Sequence, residues 1–177
     1  MEAASWWVAS LLRMPITPPM NPQQLLEALA KQYFPAICQW VAEQERLILA
    51  HGHSLSPDQQ IDAYRIGVKH IDKIRVMAVN EIPQISIPSL QPILSTMGLI
   101  SPQTIGISFQ YGIYLRKDYL SDRRLLVHEM THSMQYERLG GIEGFLKQYV
   151  EEIISFGYQE SPLEIEARKI EAKIIGD

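Results

Sequence analysis

His128 and His132 stand one helical turn apart with Glu129 between them, in the stretch Leu125 to Tyr136, LLVHEMTHSMQY. Residues four apart on a helix share a face, so two imidazoles at this spacing grip one metal ion. Glu129 lies about 100° further round, where its carboxylate reaches an activated water without taking a coordination position. These residue types at this spacing read as two zinc ligands and a general base, the H-E-x-x-H pattern. The flanks predict the helix that the pattern needs. Leu125, Leu126, Met130 and Met134 recur at helical spacing, and no Gly or Pro occurs from Ser121 to Leu139. Asp122 is the expected N-cap and Gly140-Gly141 the expected stop.

Catalytic zinc usually has three protein ligands and one open position. After His132 the chain has no His and no Cys, and its only later Asp is Asp177. Six residues past His132 stands Arg138, so the extended pattern with a third His there is absent. Any downstream ligand is therefore a glutamate, at 137, 143, 151, 152, 160, 164, 166 or 171. Glu137 points away from the metal face. Glu143, Glu151 and Glu152 read as the solvated side of the next helix. Glu164 and Glu166 fall in the first turns of the last helix, SPLEIEARKIEA, and two residues apart they do not both face one ion. Tyr158 and Tyr136 are the candidate donors to a developing oxyanion.

The elements that must position these groups follow from pattern. Asn21 to His51 reads as helix, with Asn21 as cap and Leu25, Leu26 and Leu29 as an apolar stripe. Pro35 predicts two helices meeting near Phe34. His51-Gly52-His53 at the helix end reads as a solvated loop rather than a metal pair. Ser56-Pro57-Asp58-Gln59 opens a second helix through a capping box, expected to reach His70. Lys73 to Ile82 is strand-like, a short helix is expected over Leu90 to Met97, and Ile105–Phe109 with Ile113–Arg116 predict a hairpin around Gln110-Tyr111-Gly112. An open strand edge beside the metal helix would suit an extended peptide bound through its main chain. Two helices then follow, Ile142 to Phe156 and Pro162 to about Ile175, the latter opened by a Ser161/Glu164 capping box.

The expected fold is α+β: mainly helical, with a small sheet beside the H-E-x-x-H helix. Residues 1–20 form an apolar helix and Pro-rich linker. Residues 21–177 form a single domain, helical over 21–72, with a small sheet over 73–116 and the metal-site helices over 122–175. The 177 residues suffice for one domain with a sizeable core, and 46% apolar with 20% charged residues is ordinary for a globular protein. Net charge is −4 with no basic run, which argues against nucleic acid. Ala3 to Leu12 is too short to span a bilayer and lacks a basic flank. It reads as a peripheral helix packed on the body, with contact to a membrane surface through Trp6 and Trp7 the other reading. A single cysteine, Cys38, in an apolar helical stretch suits a reducing, cytoplasmic setting and a buried packing role.

His-Glu-x-x-His followed some thirty residues later by a helix carrying Glu164-Ile165-Glu166-Ala167-Arg168 resembles the gluzincins. It is most similar to the compact single-domain minigluzincin metallopeptidases and their uncharacterised bacterial relatives. The resemblance spans roughly Lys73 to Glu171. It implies a zincin-like fold, one Zn²⁺ per chain on His128, His132 and Glu164, and a peptide or protein substrate. Small Ala167 would allow close helix packing. One position departs: the family often places Asp four residues after the Glu ligand, where it orients the first His, and this chain has Arg168. Another residue must then orient His128.

The chemistry implied is that of a zinc metalloprotease, a hydrolase in which Glu129 takes the proton of metal-activated water and returns it to the leaving amine. A non-catalytic zinc-stabilised binding domain and a zinc hydrolase of another amide are the alternatives.

Overall fold

A computed structural model of the chain describes residues 21–85 and 102–176. In order it contains α1 (Pro22–His51), β1 (His53–Ser54), α2 (Pro57–Ile66), β2 (Arg75–Val79), β3 (Gly106–Phe109), β4 (Gly112–Arg116), α3 (Arg123–Leu139), α4 (Ile142–Phe156) and α5 (Pro162–Gly176). The α+β expectation holds. The expected N-terminal helix and the helix over Leu90–Met97 lie outside the described residues. No helix among the described residues is long and apolar enough to cross a membrane.

The four strands form one mixed sheet in the order β1-β2-β4-β3. β2 pairs with β4 in parallel, and β3 pairs with β4 as the expected hairpin, Phe109 opposite Gly112 and Gly106 opposite Leu115. The tight connection holds Gln110 at φ 57, a left-handed conformation that a two-residue hairpin loop demands. Among the described residues β3 is thus an edge strand.

β4 is buried on both faces, which is why GIYLR reads as a nearly continuous apolar run. Ile113 and Leu115 pack with Leu126, Val127 and Met130 of α3 and with Ala63 and Ile66 of α2. Tyr114 joins Phe109 on the other face, with Val41 and Ile48 of α1 and Phe145 and Leu146 of α4. Gly112 makes the second contact close: a Cβ there would lie 3.0 Å from the Ile48 side chain.

Three local expectations are corrected. α1 runs unbroken through Pro35 instead of dividing near Phe34. Pro35 and Lys31, the residue whose carbonyl loses its partner, are both exposed, so water takes over that bond. Val41 and Ile48 anchor the same helix in the core. α2 stops at Ile66, short of His70, because Gly67 turns left-handed at φ 97 and donates to the Ala63 and Tyr64 carbonyls. The Lys69 and His70 N–H groups then donate to the Glu137 carboxylate, at 2.7 and 2.9 Å. Lastly, Glu152 is buried, not solvated. It accepts from Ser161 Oγ at 2.7 Å and Leu163 N at 2.9 Å, satisfying one hydroxyl and one N–H donor at the start of α5.

His51 and His53 are exposed as expected, although His53 sits in the two-residue strand β1, opposite Val76. Cys38 is half-buried beside the α1–α4 cluster.

Candidate metal centre

α3 begins where Asp122 accepts from Leu125 N at 3.0 Å and ends where Gly140 turns left-handed at φ 87. It lies on the sheet face that carries Gly106 and Ser108. Ser108 Oγ and Ser133 Oγ meet at 3.3 Å, and one turn earlier Glu129 reaches Gly106. Small residues on β3 therefore bring the helix close and bury Glu129, which is 5% exposed. The neighbouring face of α3, with His128 and His132, meets α5.

The two imidazoles converge. His128 Nε2 and His132 Nε2 are 3.2 Å apart. Glu164 completes the group, its Oε2 3.4 Å from His128 Nε2 and its Oε1 3.4 Å from His132 Nε2. Donor atoms bound tetrahedrally at zinc distances lie about 3.3 Å from one another, so this spacing fits an ion. Glu164 is 1% exposed, and its Oε2 is buried with no hydrogen-bond partner among the described residues. A buried carboxylate whose two oxygens each face a ring nitrogen, one of them without a hydrogen-bond partner, fits a ligand set. His128, His132 and Glu164 thus form a group able to hold a metal ion.

Glu164 cannot close its half of the predicted capping box. Its N–H sits 3.5 Å from Ser161 Oγ, but its side chain turns to the histidines. Glu166 is engaged elsewhere. It holds Arg138 through two contacts of 2.6 Å and accepts from Gln135 Nε2.

A second layer of groups holds these three side chains in place. Gln135 Oε1 is 2.8 Å from His132 Nδ1, and Gln135 Nε2 donates to the Leu163 carbonyl, tying α3 to α5. Glu171 Oε2 is 3.2 Å from His128 Nδ1, while its Oε1 pairs with Arg124 at 3.3 Å. Glu171, two turns beyond Glu164, is thus the carboxylate beside the His128 ring, and Arg168 is not. Tyr149 donates to Glu164 Oε1 at 2.6 Å. The tyrosine comes from α4, and no local pattern links it to the motif. Gln135, at a helical neighbour position to His132, was open to discovery by spacing alone.

Of the two tyrosines singled out from sequence, Tyr136 is a packing residue. It is 2% exposed, stacks on Phe145 with centroids 3.8 Å apart and donates to the Ser108 carbonyl. Tyr158 is half-buried and lines the cavity beside Glu164. Burial and then the Glu164 and Glu129 charges hold its hydroxyl protonated, well above the usual phenol range.

The electrostatics favour a cation. Burial opposes charge on His128, but Glu164, Glu129 and Glu171 outweigh it and hold the imidazolium up to about 9. Burial likewise opposes charge on Glu164, and His128, His132 and Tyr149 outweigh it to hold the carboxyl down at about 2. His132, more deeply buried, is pushed down. Burial raises Glu129 to about 7, with Glu164 adding to the rise and His128 opposing it. A carboxyl near 7 is matched to general base work at neutral pH.

These groups line a cavity of about 580 Å³ bounded by β3, α1 and α4. Removing the orienting carboxylate tests the second layer. Glu171→Gln is expected to weaken divalent-ion binding at this group about 10–100-fold in competition with a chelating indicator, without displacing His128, His132 or Glu164. Comparison with protein-family models, curated proteins and solved structures found no match for this chain.

Proposed function

We propose that the chain is a zinc-dependent peptidase, in which His128, His132 and Glu164 hold the ion and Glu129 is the general base. The observation that carries this reading is the convergence of two imidazoles and an orphaned glutamate oxygen, with the buried Glu129 carboxyl beside them, in one cavity. When bound, the ion supplies Lewis-acid activation of water and polarisation of the scissile carbonyl.

The protein's own groups divide the remaining work. Glu129 takes the proton of the attacking water and returns it to the leaving nitrogen. Gly106 leaves the space in which that carboxylate sits. Tyr149 fixes one oxygen of Glu164, leaving Oε2 as the donor. Tyr158, a protonated hydroxyl lining the cavity, is the candidate donor to the developing oxyanion. The edge of β3, unpaired among the described residues, contributes Gly106 to Phe109 to the cavity wall and supports an extended peptide as substrate.

Gly106 gives a sharp test of the base. A Cβ there would lie 2.9 Å from Glu129 Oε1 and 3.0 Å from Leu125 Cδ1. Gly106→Ala is expected to displace the carboxylate and lower kcat by about tenfold or more, with KM and zinc content little changed. A loss of zinc instead would assign the glycine to ligand geometry.

The function itself is tested by exposing a diverse peptide library to the zinc-loaded chain, with a chelated sample as control. Cleavage that disappears on chelation and returns with zinc is the expected result. Absence of cleavage together with unfolding on chelation would assign the ion a structural role.

A further inference from the structure

We propose that the end of the cleft beside His128 is a carboxylate-binding site formed by Arg124 and Arg168, selecting peptides with an acidic group near the cleaved bond. This deepens the peptidase reading and rests on it. Each arginine lies one helical turn from a ligand, Arg124 four residues before His128 on α3 and Arg168 four residues after Glu164 on α5. α3 and α5 pack against each other, and Arg124 meets Glu171 across their seam, so both guanidinium groups line the same cavity.

Both are accessible, with side chains 62% and 39% exposed. Both are incompletely used. Arg168 donates one bond to the neutral Gln159 carbonyl, and its Nη1 is 3.9 Å from the orphaned Glu164 Oε2. Arg124 makes one contact of 3.3 Å with Glu171. A guanidinium carries several further N–H donors in a fork that matches a carboxylate.

The acidic groups at this end are already engaged. Glu171 is shared between His128 and Arg124, and Asp122 caps α3. The same cavity is lined by Ile37, Trp40 and Val41 of α1 and Phe145, Leu146 and Val150 of α4, so a ligand in it meets hydrocarbon as well as the two cations. Lysine would not substitute for this planar, bidentate recognition. The carboxylate has two sources, a free peptide C-terminus or an Asp or Glu side chain, and the chemistry recognised is the same.

The test is binding of peptide hydroxamates, which engage zinc directly, to the zinc-loaded full chain by calorimetry. Four ligands suffice: free C-terminal acid, its amide, and amidated peptides with internal Glu or Gln. One acid is expected to bind about tenfold or more tightly than its neutral counterpart, and which acid does so names the source. Arg168→Gln should erode that advantage and leave the neutral hydroxamates unchanged. Arg124→Gln should erode it too, read as the acid-to-neutral ratio because the lost Glu171 contact lowers both affinities alike. Should either variant fold poorly, the acid-against-neutral comparison on the wild-type chain still decides. Equal binding of acids and neutral partners overturns the carboxylate site and leaves the metal reading intact. A series in which none binds overturns both.

Discussion

Glu129→Gln is expected to keep its zinc and lose about 10²–10⁴-fold in kcat, with KM little altered. Glutamine has nearly the same shape, so the space bounded by Gly106 and Leu125 remains filled. Only the capacity to accept a proton is lost. Steady-state kinetics with zinc content measured on the same samples check this, and a fully active variant would overturn the mechanism. A second consequence follows from the raised pKa. A carboxyl at about 7 in the fold and 4.5 in the unfolded chain costs stability once pH exceeds 4.5, with the cost fully developed above 7. Metal-free Glu129→Gln should accordingly melt above metal-free wild type at pH 8 and match it at pH 4. Equal melting at both values would mean that the carboxyl is not raised.

The part of the site that was legible in the sequence is the part written within one helix. His128, Glu129 and His132 share a turn, and the Asp122 cap and Gly140 stop mark the helix that carries them. Spacing alone sufficed for these. The third member of the group needed two helices to meet, and the residues themselves left Glu164 and Glu166 open; the ion pair between Glu166 and Arg138 separates them, and it spans α3 and α5. Tyr149 and the Arg124–Glu171–His128 chain were hidden for the same reason, since each links elements brought together only by packing. The misplaced features share a physical origin as well. Glu152 looked solvated because glutamate usually is, and it is buried because the first turn of α5 carries N–H donors that need an acceptor. Pro35 looked like a break because proline removes a bond, and it is tolerated because the orphaned carbonyl faces water. Local propensity sets the helices, while the burial of a few polar groups between them decides the site.

Replacing Glu164 by Gln is expected to abolish zinc uptake at micromolar ion, whereas Glu166→Gln should retain it with a loss of about tenfold. Glutamine at 164 keeps an oxygen but removes the charge that two buried imidazoles and an ion require. Glutamine at 166 loosens only the Gln135 and Arg138 contacts, one step removed from His132. Proton counting sharpens the contrast. His128 is held up to about 9 in the metal-free chain, chiefly by Glu164 against the opposing effect of burial, so it carries a proton at pH 7.5. Ligation needs the neutral imidazole, so zinc uptake by wild type at pH 7.5 should release about one proton from this residue. The direction of the pH dependence follows: affinity rises with pH until about 9 and levels off above it. Calorimetry in buffers of different ionisation enthalpy reads the proton directly. Without the Glu164 charge, the His128 titration should move down toward neutrality, visible in the ring resonances of the metal-free variant. If Glu164→Gln bound zinc as tightly as wild type, the third ligand would have to be sought among the other glutamates of α5, and the orphaned Oε2 would need another explanation.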